Sequence, residues 1–339
     1  MKAAFLGMPR LLRWCSWLYL MLLLLVWGLV FLVGDRWWLA TIVLYGPRWF
    51  FALPLALLVP LVFLRREYFV CIPLFICVVF VFGPLMGFNL PSAKAFKPQG
   101  QVALRVLTYN INGGHFNAKQ CFGLIKDSAV DLVAFQECPD NLSLPVPIGW
   151  YGIQKNGLAL FSRYPMQFIK VVQVKEPTDK WPAPCLLHGL VETPKGVINV
   201  CSLQLPSPRF GLQAVLDRYT LLRPSRRKLL DQQIITRKFV ACEVKRYLSA
   251  LSKPVIVVGD FNTPADSPLF RKVWGRFSNA FSETGLGYGW TQRVSVSGLS
   301  FSARIDHVLT TKGLRPLVCE VGPDLGSDHL PLIADIEFL

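Results

Sequence analysis

Hydrophobic residues follow two different rules along this chain. Residues 14–33 (WCSWLYLMLLLLVWGLVFLV) run for 20 positions without a charge, the length an α-helix needs to cross about 30 Å of hydrocarbon. Residues 37–64 hold one charge, Arg48, and 68–93 hold none. Pro54, Pro60, Pro73 and Pro84 interrupt the later stretches, which lipid-embedded helices tolerate when neighbouring groups re-satisfy the backbone. Trp37, Trp38, Trp49, Phe50 and Tyr68 fall at or near segment ends, where interfacial aromatics belong. The pattern predicts three transmembrane helices, near 12–33, 42–64 and 68–89. A cleaved signal peptide does not fit, because its apolar core would be shorter and a small-residue cleavage site would follow.

From residue 103 the rule changes to short apolar runs ending in polar residues. ALRVLTYNI (103–111), DLVAFQE (131–137), GLALFSR (157–163), GVINVCSLQL (196–205), PVIVVGDFN (254–262), IDHVLTT (305–311) and LIADIEF (332–338) read as strands. Residues 117–128 and 225–251 carry helical spacing. Many strands with few intervening helices predict a layered α/β sandwich rather than a doubly wound sheet. The polar stretch 91–102 reads as a short tether between the anchor at 1–90 and a domain over 103–339.

Composition sharpens the division. The chain has 339 residues, 53% hydrophobic and 17% charged, with a net charge of +15. A soluble domain carries about 25% charged residues, so the composition argues against both a disordered chain and a plain soluble enzyme. Only seven Lys/Arg and two Asp/Glu lie in residues 1–90. Lys2, Arg10 and Arg13 precede the charge-free core of the first span and Arg65–Arg66 separate the second from the third. Placing both groups inside puts residues 91–339 outside the cytoplasm. None of the nine cysteines forms a CxxC pair, so redox and zinc-ribbon motifs are absent, while disulfides stay open.

Candidate chemistry collects where strands run out: Asn110 and Asn112, Glu137, Asp260 and Asn262, Asp306, then Asp328 and His329. A carboxylate just past an apolar run is held rigidly at its root and exposed at its tip. Oxygen donors with one imidazole suit Mg²⁺ or Mn²⁺ better than zinc, and such a set points to phosphoryl chemistry. Each residue alone has a structural reading, as a solvated strand end, a turn former or a cap. It is the ordered set that carries weight.

LTYNING (107–113), FQE (135–137), VVGDFN (257–262), ARIDHVL (303–309) and SDHLP (327–331) together resemble the endonuclease/exonuclease/phosphatase superfamily, over about 103–339. The resemblance implies a four-layered α/β sandwich of two packed β-sheets with the active site at one rim. It further implies Glu137 as the principal metal ligand, with Asn110 beside it and Asn112 nearby. Asp260 is expected to orient or deprotonate the attacking water and Asn262 to hold the phosphate or nucleophile. His329 is expected to contact the phosphate, with Asp306 fixing its tautomer, and Asp328 to serve as a further metal or water ligand.

One position departs from the family. A His or Tyr is usual near the end of the strand before GDFN, and here the strand reads VINVCSLQLPSPR (197–209). Ser202 and Gln204 share one face of that strand, and Gln204, directly before LPSPR, is the candidate phosphate contact. A Gln donates hydrogen bonds but supplies no proton. Of the other histidines, His115 is expected in an exposed loop, His188 in a structural role, and His307 on the strand face opposite Asp306. A basic stretch (Arg218, Arg223, Arg226, Arg227, Lys228, Arg237, Lys238, Lys245, Arg246) is either a solvated helix face or a surface for polyanions.

The expectation is a membrane-anchored, Mg²⁺- or Mn²⁺-dependent phosphoesterase cleaving a phosphodiester in nucleic acid or a phospholipid-like headgroup. The alternatives are a phosphomonoesterase on a polyphosphorylated ligand and a membrane protein that binds phosphorylated ligands without turnover. The membrane and the phosphoester substrate are the expected partners; no protein partner is predicted.

Overall fold

The computed structural model describes residues 2–92, 103–175, 183–216, 223–252, 254–296 and 299–339. The tether from residue 93 onward, and Arg218 of the basic stretch, lie outside the described residues. The chain forms two compact units, residues 1–88 with 266–268, and residues 89–265 with 269–339.

In the first unit, three helical stretches are long and apolar enough to cross a membrane: Arg10–Leu32, Arg48–Arg65 and Tyr68–Leu85. The second corrects the expected span at 42–64. A helix over Trp38–Tyr45 stops at Gly46, which is extended (φ −83°, ψ 177°), and helical structure resumes at Arg48. Pro47 supplies no N–H and steers the residue before it out of the α region, so one apolar run becomes two helices. The third span ends before the expected residue 89. Its helix, Cys71–Phe80, passes into a wide turn at Val81–Leu85 around Pro84, and Asn89 already pairs with Gly287 in the second unit. The helices bury Leu23, Val62, Cys77 and Val81 among themselves and present Trp14, Leu25, Leu57, Leu64, Phe69 and Phe75 outward.

The second unit holds fourteen strands among the described residues. They are β1 (Leu104–Asn110), β2 (Leu132–Gln136), β3 (Tyr151–Lys155), β4 (Leu158–Ser162), β5 (Met166–Val174), β6 (Ala183–Thr193) and β7 (Gly196–Gln204). There follow β8 (Val255–Asp260), β9 (Ser278–Asn279), β10 (Gln292–Val296), β11 (Leu299–Ala303), β12 (Asp306–Thr310), β13 (Leu314–Val321) and β14 (Leu332–Phe338). One six-stranded sheet runs β13-β14-β1-β2-β4-β3, the other β5-β6-β7-β8-β12-β9, and β10-β11 form a hairpin.

The two sheets face each other across one apolar layer. Leu104 and Val106 of β1, Leu132 and Ala134 of β2, and Leu158 and Leu160 of β4 meet Ile198 and Val200 of β7, Ile256 and Val258 of β8, and Val308 of β12. Because alternate residues share a face, the opposite sides of the same strands need cover of their own. The helix Ala118–Asp127 covers Leu107, Tyr109, Val133 and Phe135 with Cys121 and Ile125. The helix Pro224–Ser249 covers Cys201, Leu203, Val255 and Val257 with Val240, Val244 and Leu248. Helix, sheet, sheet, helix is the four-layered sandwich expected. The nine cysteines are free.

Candidate active site

The inward face of each central strand changes character along its length. On β1 the inward series is Leu104, Val106, Thr108, Asn110; on β7 it is Ile198, Val200, Ser202, Gln204; on β8 it is Ile256, Val258, Asp260. Register makes these changes coincide. Asn110 pairs with Gln136, Gln204 with Asp260, and Asp260 with Asp306. Above the apolar layer lies a neutral polar one, in which Thr108 donates to Gln136 Oε1 (3.2 Å) and Gln136 Nε2 to Ser202 Oγ (3.1 Å). Above that lies the charged layer. Of the two candidates on β7, Ser202 thus belongs to the buried support and Gln204 to the site.

The charged layer is one connected network. Asn110 Nδ2 donates to Glu137 Oε1 (3.0 Å) and Asp260 Oδ2 (3.2 Å). Gln204 Nε2 donates to the same Glu137 oxygen at 2.8 Å. Asp260 accepts from the Asn262 backbone (2.7 Å) and from Asn262 Nδ2 (2.9 Å), which also donates to Leu205 O (2.9 Å). His329 Nδ1 lies 2.8 Å from Asp306 Oδ2, and its Nε2 lies 4.0 Å from Asp260 Oδ2. Asn112 and Asp328 join Glu137, Gln204, Asp260, Asn262 and His329 in lining a single cleft of about 420 Å³. Asn110 and Asp306 stand just behind them, fully buried.

Backbone conformation at the rim is unusual in the same places. Asn112, Glu137 and Asn262 adopt φ of 46°, 52° and 47°, three of the six non-glycine residues at positive φ among those described. Glutamate enters this region at a cost, and such conformations gather where function fixes a side chain. Glu137 is held there by Gly113 N–H bonding to its carbonyl (2.9 Å) and by Cys138 N–H bonding to Gly157 O (3.0 Å). Gly259, at φ 137°, lies so close to β7 that a Cβ would fall 2.0 Å from Leu203 O. Only glycine allows β7 and β8 to bring Gln204 and Asp260 level.

The electrostatics follow from burial. Burial and the neighbouring Asp306 raise the Asp260 carboxyl to about 7. For His329, burial acts to lower the pKa, but Asp306, Asp260 and Asp328 outweigh it and raise it to about 10. The imidazole is therefore a cation at neutral pH, pinned by Asp306 and directing its other N–H into the cleft.

A divalent cation fits this donor set. Glu137, Asp260 and Asp306 bring three carboxylates against one imidazolium, and the Asp260 pKa, raised by burial first and by Asp306 second, marks a carboxylate whose charge a cation would stabilise. Asp306 Oδ1 is buried without a hydrogen-bond partner. The Asn110 and Gln204 amides both meet Glu137 Oε1, and neither meets Oε2. Atoms of Asp260, Asp306 and His329 also lie within 4.8 Å of one another, but a protonated His329 is a hydrogen-bond donor and not a metal ligand.

The remaining histidines are separate from the cleft. His115 is exposed and bonds to Asn112 O (2.7 Å). His188 is buried between Tyr247 Oη (2.7 Å) and Asn199 Oδ1 (2.9 Å). His307 points to the far face of β12, with Nε2 at 3.0 Å from Thr263 O. Two residues of the site are not legible from motif spacing. Gln292 places Nε2 3.3 Å from His329 Nε2. Arg237, nearly fully buried, donates to Pro206 O (3.1 Å), Asn262 O (2.6 Å) and Thr263 Oγ1 (2.8 Å), tying the two lips of the cleft together. A basic residue inside an otherwise apolar helix face (Val240, Val244) was the available signal.

Residues 107–329 match the sequence model of the Endonuclease/Exonuclease/phosphatase family. Among solved structures, the chain is similar to the 3′ phosphatase NExo from Neisseria bound to product DNA hairpin, at 17% identity, covering 70% of this chain and all of that one, with a TM-score of 0.50. It is similar also to an AP endonuclease from Archaeoglobus fulgidus, at 18% identity, covering 69% and 99% of the two chains, with a TM-score of 0.50. At such identities the likeness is one of fold. No curated protein matches the chain.

Proposed function

The chain belongs to the endonuclease/exonuclease/phosphatase family, and we propose that it is a membrane-anchored, divalent-metal-dependent phosphoesterase that hydrolyses a phosphodiester in nucleic acid or in a phospholipid-like substrate. The observation that carries this reading is the buried Asp306–His329 pair facing Asp260 across 4.0 Å at the mouth of one cleft. A fixed cation and a fixed base, aimed at the same small volume, suit attack of water on a phosphate.

Each side chain has a role that its bonds support. Asp260, oriented by Asn110 and Asn262, accepts a proton from the attacking water, and its raised pKa makes it a competent base near neutrality. Protonated His329 donates its Nε2–H to a phosphate oxygen, and Asp306, accepting from Nδ1–H, holds the ring in that orientation. Gln204 borders the cleft with one N–H on Glu137 and the other available to a phosphate oxygen. Both side-chain N–H groups of Asn262 are instead taken by Asp260 and Leu205 O, so Asn262 acts on the nucleophile by holding Asp260 in place. Glu137, Asn112 and Asp328 would hold Mg²⁺ or Mn²⁺, which when bound neutralises charge on the phosphate oxygens and the leaving group. Gln204 donates to Glu137 and has no proton to supply, so among these side chains protonated His329 is the one that can offset charge on the leaving group.

The three apolar stretches suit a membrane anchor, and the early basic residues favour a domain outside the cytoplasm. A panel with the full chain in nanodiscs, supplied with Mg²⁺ or Mn²⁺, tests the assignment. It includes plasmid DNA, abasic DNA, sphingomyelin, phosphoinositides and a chromogenic diester. Turnover of a diester supports the reading. Turnover of phosphoinositide monoesters alone reassigns the enzyme to the phosphomonoesterases, and binding without turnover removes the catalytic assignment.

A further inference from the structure

Two helices beside the cleft carry a surface that neither the fold nor the chemistry above requires. The helix Arg209–Leu216 buries Gly211 and Val215 and turns Arg209, Phe210, Gln213 and Leu216 outward. It lies against Pro224–Ser249, where Gly211 N–H donates to Gln233 Oε1 at 2.8 Å. On the longer helix the outward positions Lys228, Ile235, Phe239 and Arg246 follow steps of seven, four and seven, which place them on one face. Phe210 is 71% exposed and Ile235 62%, with Leu216, Leu229 and Phe239 also open.

The charge is equally lopsided. Arg223, Arg226, Arg227 and Lys228 crowd the start of the longer helix, and its first turn holds no acid. Cations there oppose the helix dipole and lower helix stability, and although Arg227 pairs with Asp231 at 3.6 Å, that one exposed pair does not account for four bases. A partner with negative charge does. Nucleic acid would satisfy the charge but would leave Leu216, Leu229 and Ile235 idle, because base stacking needs rings. A bilayer interface takes aliphatic, aromatic and basic side chains together. The surface is continuous with the cleft, which Ser207, Arg209 and Phe210 line.

We propose that the outward faces of helices 209–216 and 224–249 dock this domain on an anionic phospholipid surface, so that headgroup phosphoesters reach the cleft from the bilayer. The docking stands by itself; the choice of substrate rests on the phosphoesterase reading. Cys242 is exposed on the same helix face and serves as the reporter. The full chain carrying Cys15→Ser and Cys71→Ser is labelled at Cys242 with a fluorophore and placed in nanodiscs bearing nitroxide headgroups. One set contains phosphatidylcholine alone, the other equal phosphatidylcholine and phosphatidylglycerol.

The label is expected to lose most of its fluorescence in the anionic nanodiscs and little in the neutral ones. Ile235→Gln with Phe239→Gln abolishes that difference, and each of Arg226→Gln and Lys228→Gln weakens docking about fivefold. Hydrolysis of a soluble chromogenic diester stays unchanged in these variants. Equal fluorescence in the two nanodiscs, or protection by an added oligonucleotide in preference to anionic lipid, overturns the proposal. Docking without hydrolysis of any diester leaves it standing and contradicts the phosphodiesterase assignment instead.

Discussion

Val258 and Asp260 lie two residues apart on the same face of β8, and they are buried for opposite reasons. Val258 sits among Val106, Ala134, Val200 and Val308, where removal from water is itself the stabilising term. Asp260 is equally buried but faces a second carboxylate, and its pKa of about 7 shows that the folded chain resists its ionisation. The apolar end of the inter-sheet layer makes the fold, and the polar end draws on that stability to hold charged groups where water would otherwise separate them. Substitutions at the two ends should therefore fail in different assays.

The largest expected effect is on turnover. Asp260→Asn lowers it roughly 10²–10⁴-fold, the usual contribution of a general base, while the melting temperature in chelator holds or rises because a buried repulsion is gone. A fall below about threefold, small beside that range, would remove Asp260 from the base role.

Next comes the imidazole. With Asp306→Asn the His329 pKa drops from about 10 toward 6.5, followed by NMR of the ring protons in metal-free protein. The sign for stability follows. The folded state binds this proton more tightly than the unfolded one, so the stabilisation is complete below pH 6.5 and is lost as pH rises through about 10. The variant should flatten that part of the profile. An unchanged His329 titration would break the pairing on which the phosphate contact rests.

Glu137→Gln should raise the metal concentration for half-maximal activity roughly 10–100-fold, by analogy with disturbed metal shells, while leaving the circular dichroism spectrum unaltered. At the apolar end, Val258→Ala should cost about 2 kcal/mol of stability and leave turnover per folded molecule unaffected. A Val258→Ala variant that lost turnover while keeping its stability would erase the distinction between the two ends.

How much of this was legible depended on the kind of constraint. The strands β1, β2, β4, β7, β8, β12 and β14 follow from alternation and strand-end polarity, because each is flanked by a sharp compositional change. β3, β5 and β13 are edge strands or neighbours of edges with exposed, mixed faces, and their pattern resembles loop. The break at Gly46–Pro47 was concealed by an uninterrupted apolar run, although Pro47 held the information. Asn89 looked like the end of a span, yet its amide donates to Phe281 O (2.9 Å) and Gly285 O (2.6 Å) in the domain. Such a pairing across nearly 200 positions leaves no local trace. Asn89→Ala should cost only about 1 kcal/mol, the smallest effect expected here, read as a shift in chemical denaturation of the domain.

Within the site, motif order pointed to Asn110, Glu137, Asp260, Asn262, Asp306 and His329, and these side chains are linked or adjacent in the fold. The direction of Gln204 was not legible. Its face was, but its bond to Glu137 depends on how far β7 extends beside β8, which Gly259 sets. Arg237 was hidden in a run of bases whose other described members reach solvent.

The most direct measurement of the central claim is hydrolysis of a soluble chromogenic phosphodiester by the full chain in nanodiscs, with Mg²⁺ or Mn²⁺ and then with chelator, alongside Asp260→Asn. The strand-end cluster, acting as a metal-dependent active site, predicts turnover that requires the metal and falls with Asp260→Asn. Equal turnover in chelator, or equal turnover by the variant, would contradict it.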